Sequence, residues 1–75
     1  MINYYKHEEY QGVAIVKSVG LPMYKNYDDE WVLKCEVVKT IKTGVVIHLF
    51  LETFGEFHVD TLTKLTDDDA FLELL

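Results

Sequence analysis

Apolar positions alternate with mixed ones at period two over residues 31–38, Trp-Val-Leu-Lys-Cys-Glu-Val-Val. Such a pattern sends one side of a strand into a core and the other toward water. Residues 45–51, Val-Val-Ile-His-Leu-Phe-Leu, are richer in the β-branched and aromatic side chains that suit a pleated surface. Residues 57–62 alternate again. Two short connections, Lys42-Thr43-Gly44 and Thr53-Phe54-Gly55, each end in glycine. Glycine takes the left-handed conformation that closes a three-residue hairpin loop. The stretch therefore predicts a three-strand meander, with Ile41 opposite Val45 and Glu52 opposite Glu56.

That register sorts the side chains. Trp31, Leu33, Cys35, Val37, Ile41, Val45, Ile47, Leu49, Leu51, Phe57 and Val59 share the predicted core face. Lys39 is the misfit on it, placed near a turn where its long stem reaches water. Val32, Lys34, Glu36, Val38, Thr40, Val46, His48, Phe50, His58, Asp60 and Leu62 share a mixed second face. Five of these, Val32, Val38, Val46, Phe50 and Leu62, form an apolar patch if nothing covers them, and patches of that kind mark interfaces. A one-residue slip in either turn exchanges the faces.

The flanking segments add a strand and a helix. Residues 1–10 are polar and tyrosine-rich and read as a lead-in, either a loose strand or one helical turn. Residues 11–19, punctuated by Gly12 and Gly20, read as a first strand. Residues 20–30 form a long loop, opened by Leu21-Pro22, because proline biases its predecessor toward extended backbone. At the other end, Thr66 followed three residues later by Asp69 resembles a capping box, and three consecutive aspartates suit the positive end of a helix dipole. Residues 66–75 therefore predict a short helix. It is too short to stand alone, so Phe71, Leu72, Leu74 and Leu75 must dock on the sheet or on a partner chain.

Length and charge narrow the classes. Seventy-five residues make one domain, with residues 11–65 as the sheet. Thirteen acidic residues against seven basic ones give a net charge of −6, and every basic residue is lysine. That balance disfavours binding to a phosphate backbone and favours a basic partner. One cysteine excludes an internal disulfide, which fits a reducing, cytoplasmic setting. No apolar run approaches the roughly 20 residues of a membrane span.

The run Gly55-Glu56-Phe57-x-Val59-x-x-Leu62-x-x-Leu65 resembles the last strand and following turn of small Src-homology-3-like barrels. Chain order agrees over residues 10–65: a first strand, a long acidic-aromatic loop, then a meander. The resemblance implies a mainly β fold, a small four- to five-stranded antiparallel barrel, to which residues 66–75 add the short C-terminal helix. The A-L-Y-D-Y signature of the peptide-binding family is missing, and Trp31 comes earlier than that family's ligand-binding tryptophan. Fold likeness of this kind implies architecture and leaves function to the site.

The candidate binding residues are Tyr24, Tyr27, Asp28, Asp29, Glu30 and Trp31 in and after the long loop, with His48 and Phe50 on the mixed face. Aromatics interleaved with acids suit a cationic or proline-rich ligand; alternatively, the tyrosines fold back over a small core. His48 and Asp60 oppose each other in the register above, with His58 diagonal to His48. These are ligand types for a weak metal site, but no nucleophile joins them, and no cofactor motif is present. The sequence thus points to a non-enzymatic protein-binding module, a regulator or inhibitor of the phage or mobile-element type. A homodimer through the mixed face or the helix is a further expectation. A nucleic-acid-associated barrel is the alternative, since exposed aromatics stack on bases.

Overall fold

The structure is a computed structural model, and it describes residues 2–48 and 53–75, His48 through its backbone alone. Strands take up 55% of the described residues, in one antiparallel sheet curled into a half-barrel, with a short C-terminal helix. In chain order the elements are β1 (Tyr4–Glu9), β2 (Gly12–Ser18), β3 (Tyr24–Lys25), β4 (Trp31–Lys42), β5 (Val45–His48), β6 (Phe54–His58), a 3-10 turn (Val59–Thr61), β7 (Leu62–Lys64) and α1 (Asp67–Leu74).

Twelve-residue β4 is the spine of the sheet. Along one edge it pairs with β2 and then β3; along the other it pairs with β5 and then β6. The outer rows are β1, which pairs with β2, and β7, which pairs with β1. The seven segments thus make five rows, within the four to five expected. Residues 1–10, read as a lead-in, supply a full strand. Tyr5 and His7 of β1 turn inward opposite Val16 and Ala14, and His7 meets Phe57 edge-on at 5.0 Å. Gly12 starts β2 at a close approach: a Cβ there would lie 2.2 Å from the Ile41 carbonyl oxygen.

Three features depart from the predicted meander. The first hairpin closes through two residues, because Lys42 pairs with Val45 and Ile41 with Val46. Thr43 (φ 50°) and Gly44 (φ 80°) are both left-handed, the signature of a type I′ turn whose twist matches that of its strands. Second, the register shifts between the Ile15–Lys39 and Val16–Val37 pairs, leaving Val38 as a bulge. A bulge inserts one residue and reverses the facing of everything beyond it. Third, Phe54 and Gly55 are strand residues, opposite Glu36 and Cys35. The second predicted glycine turn is therefore not at 53–55, and Glu56 faces Lys34. Leu49, Phe50, Leu51 and Glu52 lie outside the described residues.

The face assignment changes accordingly. Ala14, Val16, Leu33 and Cys35 form the buried centre of the concave side, with Tyr5, Val37, Phe57, Val59 and Leu62 packed around them. Leu62 belongs to this core and not to the mixed face, because β7 places it opposite His7. Trp31, expected in the core, is half exposed at the end of β4. Ile41 sits past the bulge and faces outward with Val13 and Val46. Lys39 is mid-strand and buried beside Ile15, instead of reaching water at a turn. Val45 and Ile47 share the concave side's parity but remain exposed.

The helix begins as its sequence predicts. Thr66 Oγ1 accepts a hydrogen bond from the Asp69 backbone N–H at 3.1 Å, satisfying one of the unpaired first-turn donors. Ala70 is its one buried residue. Ala70 shares a cleft with Ile2 and Tyr4, and Glu73 shares another with Lys6, Val13 and Ile41, so α1 lies across the outer side of the sheet. Phe71, Leu72 and Leu75 point away from it and are exposed.

Candidate functional site

Two segments build a concavity at the Trp31 end of β4. The first is the loop leading into β4. Asn26 organises it: its side-chain Oδ1 accepts from the backbone N–H groups of Asp28 and Glu30, both at 3.0 Å. Its own N–H donates to the Glu30 carbonyl at 3.0 Å, and its carbonyl accepts from Asp29 N–H at 3.1 Å. Asparagine favours this kind of tight local turn because its short side chain bonds the backbone a few residues on. Asp29 sits at φ 61°, the left-handed residue that lets the chain reverse. The second segment is the 3-10 turn after β6, in which Thr61 Oγ1 donates to the His58 carbonyl at 2.7 Å.

Between them lies a space of about 480 Å³ lined by Met23, Asp29, Glu30, Trp31, His58, Val59 and Asp60. Trp31 is 52% exposed and Met23 51%. Lys25, directly opposite Trp31 on β3, holds its ammonium 5.5 Å from the indole centroid and 3.2 Å from Asp29 Oδ1. His58 Nδ1 lies 3.5 Å from Glu30 Oε2. The site therefore presents an indole face, apolar flanks and three carboxylates.

Tyr24 takes a different part. Its hydroxyl donates to Glu56 Oε2. Tyr24 is on β3 and Glu56 on β6, the strands on either side of β4. The bond therefore crosses over β4, which accounts for Val32 being buried on the outer side of the sheet. The bond to Glu56 raises the Tyr24 pKa above its ordinary value, with desolvation and the glutamate's charge acting in the same direction.

The predicted site residues thus divide. Asp29, Glu30 and Trp31 come together in the concavity. Tyr24 folds back over the sheet, as the core-covering alternative has it, whereas Tyr27 is fully exposed at the loop tip. Asp28 is exposed beside Tyr27, away from the concavity. Phe50 lies outside the described residues, and of His48 only the backbone pairing with Lys39 belongs to them.

The predicted His48–Asp60 pairing does not form. His48 is opposite Lys39, while Asp60 is in the 3-10 turn. His58 is opposite Val32 and turns to Glu30. Among the described residues no group of three His, Cys, Asp or Glu is placed to hold a metal ion. The apolar patch of the mixed face is also broken up, since Val32 is covered and Leu62 is in the core. Sequence reasoning missed Met23, His58, Val59 and Asp60 as neighbours of Trp31. No local signal marked them, because only the pairing of β6 along β4 brings residues 58–60 to the Trp31 end.

Cys35 is free and fully buried, and burial pushes its thiol up to about 11. No described helix is long and apolar enough to cross a membrane. Comparison with known proteins gives no match to any family model, curated protein or solved structure.

Proposed function

We propose that the chain is a small, non-enzymatic protein-binding module that engages a basic surface of its partner through the Trp31 concavity. The supporting observation is the exposed indole of Trp31 set among Asp29, Glu30 and Asp60. Tryptophan is among the residues enriched at the hot spots of interfaces. Carboxylates around it favour lysine and arginine and repel phosphate. A net charge of −6 extends the same preference over the whole surface. On this reading the module is a regulator or inhibitor of Src-homology-3-like architecture, of the kind phages and mobile elements carry, acting in a reducing cytoplasm. Self-association through the outward side of α1 is a secondary route, which sedimentation at rising concentration tests.

The competing reading is a nucleic-acid-associated barrel using Trp31 and Tyr27 as stacking platforms. Titration of the parent and Trp31→Ala with polylysine and with mixed-sequence RNA, over a range of salt, separates the two. The proposal expects polylysine binding that Trp31→Ala weakens, and no RNA binding. RNA affinity that falls steeply with salt supports the competing reading. Polylysine binding indifferent to Trp31→Ala removes the concavity as the site.

A further inference from the structure

We propose that Lys25 is a displaceable internal occupant of the Trp31 concavity, seated where an arginine of the partner binds. This rests on the preceding reading and adds the identity of the group recognised and the device that guards its place.

Lys25 and Trp31 face each other across the β3–β4 ladder. The ammonium lies 5.5 Å from the indole centroid, inside the range of about 6 Å over which a ring face attracts a cation. The position that an incoming cation prefers is thus already filled by the chain itself. The occupant is loosely held. Its second contact is the 3.2 Å pair with Asp29, and both side chains are open to water, where ion pairs are weak and screened. β3 is only two residues long, and a lysine stem is flexible. Nothing in these contacts requires Lys25 to stay when a better cation arrives.

Charge leaves room for that cation. Lys25 is committed to Asp29, while Glu30 and Asp60 also line the concavity. Arginine suits the vacated place better than lysine does. Its planar guanidinium stacks on an indole and its fork engages carboxylates with two parallel hydrogen bonds. Binding then exchanges Lys25 for arginine over Trp31, with Met23 and Val59 against the arginine stem and Glu30 and Asp60 within the same pocket. Lys25 is left in solvent beside Asp29. The exchange lowers apparent affinity by the strength of the internal contact, so weakly basic surfaces are rejected.

The test uses the full chain and a capped hexa-arginine peptide. Trp31 is the only tryptophan, so its fluorescence reports occupancy of the site, and calorimetry gives an independent affinity. Lys25→Ala empties the indole face, and Lys25→Gln keeps most of the stem as a second, milder variant. Lys42→Ala, at the opposite end of β4, removes the same charge elsewhere. Circular dichroism verifies that each variant is folded. The expected result is saturable quenching in the parent and binding roughly two- to five-fold tighter in both Lys25 variants, the size of an exposed cation–π contact. Lys42→Ala should match the parent at about 0.15 M salt, where distant exposed charges are screened. Equal gains in Lys25→Ala and Lys42→Ala, or weaker binding in the Lys25 variants, overturn the internal-occupant inference while leaving the basic-partner reading intact. Absence of binding in the parent and all variants overturns both.

Discussion

Residues 31–37 and 39–42 belong to one strand, yet on either side of the bulge at Val38 they treat their odd-numbered side chains in opposite ways. Before it, Leu33 and Cys35 turn inward and are buried. Beyond it, Lys39 and Ile41 turn outward, and Thr40 takes the inward position opposite Ala14. Both ends are paired on both edges, the Trp31 end by β3 and β6 and the Gly44 end by β2 and β5, but the Trp31 end carries the concavity. The Gly44 end finishes in a two-residue turn with Val45, Val46 and Ile47 exposed. One half of the strand is organised to hold a site in place, and the other closes a hairpin.

The largest expected effect comes from the half that fills the core, at Leu33. Leu33→Ala should cost about 2–5 kcal/mol, the range for truncating a buried leucine, measured by denaturant unfolding. Ile41→Ala, on the half-buried outer side, should cost distinctly less; equal losses would dissolve the distinction between the halves.

The next effect is a pH dependence. The Cys35 thiol stands at about 11 against an ordinary 9.0. Below about pH 9 it is protonated in both folded and unfolded chains and contributes no slope. Between about 9 and about 11 the unfolded chain loses this proton first, so stability falls as pH rises. The difference between parent and Cys35→Ala stability curves should show a decline on the order of 2 kcal/mol across that window. A flat difference curve would mean that the thiol is not shielded.

Legibility in the sequence followed the range of the interaction. Period-two alternation and a capping threonine are local signals, and they located β2, most of β4, the start of β5 and the N-terminus of α1. Pairing is not local. Glycine at 55 looked like a turn because nothing in its neighbours says that Cys35, twenty residues earlier, lies across from it. The bulge at Val38 was invisible for the same reason, since Val37-Val38 reads equally well with or without a register shift. The shorter first turn and the bulge each move the register by one. Their effects cancel for Val45 and Ile47 and add no correction there, while Ile41, between the two, is reversed. At the site, Asp29, Glu30 and Trp31 were legible as an acidic-aromatic run. Their partners at 58–60 were not, because only the sheet brings them there.

The hairpin half gives a smaller effect. Gly44 is left-handed with open space around it, so Gly44→Ala should cost about 1–2 kcal/mol from backbone conformation alone, read as a lowered thermal midpoint with an unchanged concavity. The smallest expected change in stability is that of Tyr27→Ala. Its side chain is fully exposed, so unfolding should shift by no more than about 0.5 kcal/mol, and with Tyr27 outside the concavity affinity for the hexa-arginine peptide should stay that of the parent.

The most direct measurement is two-dimensional NMR of the isotope-labelled chain titrated with the hexa-arginine peptide, which views both halves of β4 at once. Shifts concentrated at Met23, residues 29–31 and residues 58–60, with Thr43 to Ile47 unmoved, are the expected result. Shifts centred on the exposed valines of the hairpin or on α1, with the Trp31 indole signal unchanged, would contradict the assignment of the binding surface.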